Sequence, residues 1–266
     1  MGPTVVKSLT QDGILTAGDE MTNVPVLAEN NAPFGGIGKT SLTKGNVLHV
    51  VPRRPQPFLA ATSKESFSIG VSSDVEYALL PSLLRQLLIE APGVSLNIVH
   101  TDPSEVSSLL RAGTISLGIA PVSRGSALPY SQTLRTIHPQ VLRADTGREP
   151  ITTSEFCRRP HAGVKYAIDL DTEVVKILGQ QGKHHSIVVA VSQFEILSRL
   201  LAGSDMLALV PDYVAGELVQ KGGLRCEVAP LQNLNFTLSM TWTDATDQDG
   251  AHRWLRSRCS MFLADV

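Results

Sequence analysis

The chain has 266 residues, 42% of them apolar, with a mean hydropathy of +0.07 and a net charge of −2 from 23 basic and 25 acidic side chains. It is long enough to bury one large core or two modest ones, and its near-even charge leaves out the basic footprint of a dedicated nucleic-acid-binding domain or of a protein held on anionic membranes. Cys157, Cys226 and Cys259 stand far apart without a C-x-x-C pair, which speaks against a zinc site or a disulfide framework and for reduced thiols. No segment approaches the ~18 uninterrupted apolar residues of a membrane span, and the N-terminus has no signal-peptide pattern; a cytoplasmic protein with no membrane contact is expected.

Residues 1–57 hold seven glycines and six prolines and no sustained helical period. They are expected to form an irregular segment of loop and short strand without a recognisable DNA-binding head, since a winged helix-turn-helix needs amphipathic helices. Gly35-Gly-Ile-Gly-Lys-Thr40 resembles the end of a phosphate-binding loop, but Pro33 stands where a glycine is needed, and neither a buried strand before nor a long helix after is visible.

From Phe67 to Val122 the pattern reads strand, helix, strand, helix, strand. Phe67–Val71 is a strand, Ser72-Ser-Asp74 caps the leucine-rich helical run Tyr77–Leu88, and Ala91-Pro-Gly93 ends it. Leu96–Val99 is a second strand; Asp102-Pro-Ser-Glu105 has the residues of a capping box with proline at N1, and the helix it opens stops at Gly113. Ile115–Ala120 completes two right-handed crossovers and so a parallel sheet. Val122–Pro139 is expected as a polar connection into a second α/β series: strands at 140–144, 162–166, 186–191, 206–210 and 224–228, and helices opening at Thr152, Asp171, Ser192 and Asp212. Thr152-Thr-Ser-Glu155 and Ser192-Gln-Phe-Glu195 are both capping-box sequences. Leu234–Thr243 alternates as a strand with one buried face, and Asp249–Leu263 is an amphipathic helix.

Phe58-Leu-Ala-Ala-Thr-Ser63, Phe67-Ser-Ile-Gly-Val-Ser72, Leu80-Pro-Ser-Leu-Leu84, Ala91-Pro-Gly-Val94, Leu109-Leu-Arg-Ala-Gly113, Leu201-Ala-Gly-Ser-Asp205, Leu209-Val-Pro-Asp-Tyr213 and Asp249-Gly-Ala-His-Arg-Trp-Leu255 follow one another in an order and spacing that resembles the effector-binding domain of LysR-type transcriptional regulators. The resemblance implies an α/β protein with a two-lobed type 2 periplasmic-binding-protein-like fold, two Rossmann-like subdomains joined by two crossing segments. Lobe I is then 58–130 plus 232–266, and lobe II is 131–231. It also implies a regulatory domain that senses a small effector in the interlobe cleft and changes subunit association, as a homodimer or higher oligomer. DNA would be contacted only through a head that is present or supplied by a partner.

Ser72-Ser-Asp74, Asp102 and Ser192-Gln193 are polar helix starts that follow strands, places where backbone amides favour anions; a small carboxylated metabolite is the expected effector. By resemblance the effector-binding residues are Ser72, Ser73, Thr101, Val122 and Ser123 of lobe I, with Tyr166, Ser192, Gln193 and Phe194 of lobe II. No nucleophile-elbow or metalloprotease signature occurs, so neither catalytic residues nor a cofactor is expected. The pair His184-His185 is expected near a helix end rather than as a metal site. Three rivals share parts of this reading: a solute-binding protein of a transporter, a nucleotide hydrolase using Lys39 and Thr40, and an interaction-only truncated regulator that pairs with intact relatives.

Overall fold

The computed structural model describes residues 58–264, apart from 124–129, 145–146, 148, 166–169, 233 and 235, and three short strands ahead of them. Those strands, β1 (Leu15–Thr16), β2 (Ser41–Thr43) and β3 (Val47–His49), form an antiparallel sheet in the order β1-β3-β2 within a unit, Met1–Pro57, separate from Phe58–Val266. The phosphate-loop-like Gly35–Thr40 lies outside the described residues.

In the larger unit, β4 (Ser66–Val71) buries Phe67, Ile69 and Val71 and hands over to α1 (Ser73–Ala78). The expected single helix is two: α1 ends at Leu79, and α2 (Leu80–Glu90) restarts with Pro81 in its first turn. Proline lacks the amide that would continue α1 but suits the opening of a new helix. β5 (Ser95–His100) pairs parallel to β4. The turn Asp102–Glu105 then replaces the expected capping box, because Asp102 Oδ1 accepts from Ser104 N (2.8 Å) and Ser104 Oγ (2.7 Å), and α3 (Val106–Arg111) starts only after it. α3 packs closely on β6 (Leu117–Ser123), where a Cβ on Gly118 would sit 2.4 Å from Val106 Cγ1. Only glycine allows that approach.

The stretch expected as a connection holds β7 (Ser131–Ile137), which joins the same sheet. After β7 the chain passes through His138-Pro139 into β8 (Gln140–Arg143). α4 (Thr153–Arg158) starts with the expected capping box: Thr152 Oγ1 accepts from Glu155 N, and the Glu155 carboxylate accepts from Thr152 N. β9 (Pro160–Val164), α5 (Leu170–Gln180), β10 (Ser186–Val191), α6 (Glu195–Leu201), β11 (Ala208–Val210), α7 (Asp212–Gln220) and β12 (Arg225–Val228) complete the second series. β13 (Phe236–Thr241) returns to the first sheet, followed by α8 (Asp244–Asp247) and α9 (Gly250–Leu263).

The first sheet has the order β5-β4-β6-β13-β7, with β4 parallel to β5 and β6 and β13 antiparallel to β6 and β7. In the second, β8 pairs antiparallel with β11 and β12, β9 pairs parallel with β10, and a parallel bridge at His161–Leu207 ties the two groups together. Both sheets therefore run second-first-third through their parallel strands and then meet an antiparallel strand from the crossing segments. Phe67, Leu83, Leu87, Phe156, Val174 and Phe236 share one continuous apolar cluster, and Leu197, Leu201, Val214 and Leu218 centre another.

Candidate functional site

Where the C-terminal ends of β4 and β5 face α6 and α7, the two lobes leave a cleft of about 960 Å³. Ser73, Glu76 and Tyr77 of α1, His100 at the end of β5 and Asp102 after it line it from the first lobe. Ser192, Gln193, Phe194, Glu195, Glu217 and Lys221 line it from the second. Side chains of both lobes meet across the opening: the Tyr77 and Phe194 rings are 5.6 Å apart at 33°, and Lys221 Nζ lies 2.9 Å from the Tyr77 hydroxyl and 4.8 Å from its ring centroid. The Tyr77 hydroxyl, followed by Glu195 and Glu217, holds the Lys221 ammonium above its usual pKa. Glu76 Oε2 is 3.2 Å from His100 Nδ1, both side chains being half exposed.

Behind the cleft wall a second cross-lobe contact is buried. Asp74 is fully buried and its carboxylate accepts a hydrogen bond from the Tyr213 hydroxyl, which reaches over from α7. Burial pushes the Asp74 carboxyl above its usual range, opposed first by the Tyr213 bond and then by Ser72. Burial also raises the Tyr213 hydroxyl, with the Asp74 charge next, so tyrosine is the donor. Arg135 of β7 lies 5.7 Å from the Tyr213 ring centroid. The Ser72 hydroxyl and Asp74 Oδ1, both buried, make no other well-formed hydrogen bond among the described residues.

Of the nine residues named from the sequence, Ser73, Ser192, Gln193 and Phe194 line the cleft. Ser72 and Thr101 lie behind its wall, fully buried, and Thr101 Oγ1 donates to Val99 O (3.1 Å). Val122 is half-buried in β6 opposite Thr237, and Ser123 is placed by its backbone opposite Phe236. Tyr166 lies outside the described residues. The anion-binding helix starts are weaker than expected: α1, α3 and α6 are only 6, 6 and 7 residues long, Ser72 makes no side-chain cap bond, and Phe194 rather than Ser192 occupies the N-cap position of α6. Sequence reasoning missed Glu76, Tyr77, His100, Glu217 and Lys221. Their positions on helix faces and strand ends would have shown only once the two lobes were set facing each other.

Two α/β lobes of like topology facing each other over a polar cleft define a ligand-binding module of the periplasmic-binding-protein-like kind. Residues 60–262 match the LysR substrate binding domain, and the chain belongs to that family. The crystal structure of the regulatory domain of MexT, a transcriptional activator in Pseudomonas aeruginosa, is 45% identical, covers 74% of this chain and 99% of its own, and superposes with a TM-score of 0.67. The cofactor-binding domain of the Cbl transcriptional regulator, 17% identical over 80% of this chain and 95% of its own, shares the fold at a TM-score of 0.64. Among curated relatives, the transcriptional activator NahR of Pseudomonas putida is 26% identical over 210 residues, covering 76% of this chain and 68% of NahR. Nodulation protein D 3 of Rhizobium leguminosarum bv. phaseoli is 27% identical over 215 residues, covering 79% and 70%. The domain is thus regulatory and not an enzyme, and no helix among the described residues is long and apolar enough to cross a membrane.

Proposed function

We propose that this chain senses a small-molecule effector in its interlobe cleft, as the effector-binding part of a cytoplasmic transcriptional regulator. The observation that carries the reading is the cleft itself, lined from α1 and the β5 end on one side and from the α6 start and α7 on the other. Ser73, Ser192, Gln193 and Phe194 contact the effector; Ser72 and Thr101 shape the wall behind it, and Val122, Ser123 and Tyr166 complete the set. The lobes are 58–130 with 232–266 and 131–231, except that β7, at the first crossing, pairs with β13 in the first lobe's sheet. Binding shifts the population between lobe arrangements, and the lobes carry that shift to the subunit contacts of a homodimer or higher oligomer. DNA is contacted only where a DNA-binding head is present or is supplied by a partner.

A thermal-shift screen of small metabolites tests the reading. A ligand at ~100 times its dissociation constant adds about 2.7 kcal/mol, which raises the midpoint by several degrees. A hit that Gln193→Ala and Phe194→Ala both weaken is the expected result. A saturable hit indifferent to both substitutions places the effector elsewhere and overturns it.

A further inference from the structure

The charge around the cleft runs opposite to what a carboxylated effector needs. Glu76, Asp102 and Glu105 face it from the first lobe and Glu195 and Glu217 from the second, whereas Lys221 is the one lysine or arginine among its described lining residues. A carboxylate entering there would meet five acidic side chains, of which Glu76 has the His100 ring 3.2 Å away, and a single ammonium, and in a partly enclosed cleft those charges are screened less than on open surface.

The cleft also shows how it receives a positive charge. Lys221 Nζ sits 4.8 Å from the Tyr77 ring centroid and 2.9 Å from its hydroxyl, with Phe194 packed beside that ring and Glu195 and Glu217 close enough to stabilise the ammonium. An aromatic surface with carboxylates around it is the arrangement that takes organic ammonium groups. No group of three or more His, Cys, Asp or Glu among the described residues is placed to hold a metal ion. Acids on both lobes further mean that an empty cleft resists closure by like-charge repulsion, and that a cation between them relieves it.

Resting on the cleft as the effector site, we propose that its effector is an organic cation, an amine or guanidinium compound whose charged end lies on Tyr77 between Glu195 and Glu217. Lys221 holds that place in the unliganded protein and gives it up on binding.

The test is isothermal titration of the full chain with 1,4-diaminobutane, agmatine and tryptamine against benzoate and succinate, at fixed ionic strength and with magnesium as a charge control. Saturable binding of at least one amine is expected, weakened about tenfold or more by Glu217→Gln or Glu195→Gln and tightened by Lys221→Met, which vacates the Tyr77 face. A carboxylate effector requires the reverse of the last result, since Lys221 is the one ammonium among the described lining residues. A carboxylate that binds saturably and is lost with Lys221→Met and Gln193→Ala overturns the cation assignment while leaving the cleft reading intact. Amine binding unmoved by the glutamate variants, or matched by magnesium, is surface condensation and overturns the assignment too. Silence from all five compounds also overturns it, and silence from a wider metabolite panel overturns the cleft reading with it.

Discussion

Tyr213→Phe removes one oxygen and leaves the ring, so its effect isolates the bond to Asp74. The Asp74 carboxyl is fully buried, and Tyr213 is the donor that crosses from the other lobe to meet it. Leaving a buried acceptor without its donor costs about 1–3 kcal/mol. At ~2–4 °C per kcal/mol for a domain of this size, the unfolding midpoint should fall by about 2–12 °C. The deficit should also depend on pH. Burial raises the folded pKa of Asp74 above its ordinary 3.8, so on raising the pH the unfolded chain loses this proton first. Within the window between the two pKa values the native state binds more protons, stability falls as pH rises, and the penalty is complete above the folded pKa. Tyr213→Phe takes away the bond that lowers that pKa most, and its deficit should therefore grow from pH 4 to pH 8. Asp74→Asn keeps the shape and an acceptor oxygen without the ionisation, and should gain on the wild type over the same range. Calorimetric melts of both single variants and the double variant give the coupling. Coupling below ~0.5 kcal/mol, with deficits that do not change with pH, would refute the proposed dependence of the lobe contact on this bond.

Other perturbations follow from particular contacts. His161 is buried, its Nε2 donates to Phe156 O at 2.7 Å, and burial holds its pKa at about 4 instead of 6.5; His185, also lowered by burial, packs on it with ring centroids 5.0 Å apart. A base kept neutral in the fold contributes stability above pH 6.5 that is lost as pH falls towards about 4. Up to about 3 kcal/mol should disappear from urea melts between those limits, and less of it in His161→Gln. Glu227→Gln takes from Arg143, 4% exposed, the carboxylate 2.8 Å from its Nε while leaving its bond to Glu149 O, and about 1–3 kcal/mol should be lost in chemical denaturation. At Gly93 a Cβ would come 2.4 Å from the backbone oxygen of Ser63, so Gly93→Ala should lower stability by about 1–3 kcal/mol, measurable as a shift in the urea midpoint.

Much of the fold was legible because its signals are local. The Phe67–Val71 strand, the Thr152–Glu155 box and the long Gly250–Leu263 helix each carry their own period or cap, and each is present. The signals that misled were local as well. Ser192-Gln-Phe-Glu195 has the letters of a capping box, yet the Phe194 side chain is buried against Tyr77 and the helix begins at Glu195 instead of Gln193; tertiary burial outweighed a cap. β7 was hidden because only Leu134 and Ile137 are buried along it, too few to show alternation without its partner β13. The chemistry of the site was least visible. Asp74 and Tyr213 are 139 residues apart in the chain, and Tyr77 and Lys221 are 144 apart, so no window of sequence contains either pair.

The cleft and the buried lobe contact share their supports. α1 carries Asp74 behind the wall and Ser73, Glu76 and Tyr77 in front of it; α7 carries Tyr213 behind and leads through Glu217 to Lys221 in front. A molecule that moves Tyr77 or Lys221 therefore acts on the same two short helices that the Asp74–Tyr213 bond holds together. It can change the lobe arrangement only by binding one arrangement more tightly than another. If the bond contributes about 1–3 kcal/mol, an effector needs roughly a 5- to 150-fold preference to offset it. On the proposed reading, a few charge-assisted contacts on one side of the cleft would supply a preference of that size, and the lobe contact would then set a resting arrangement that a small ligand could reverse.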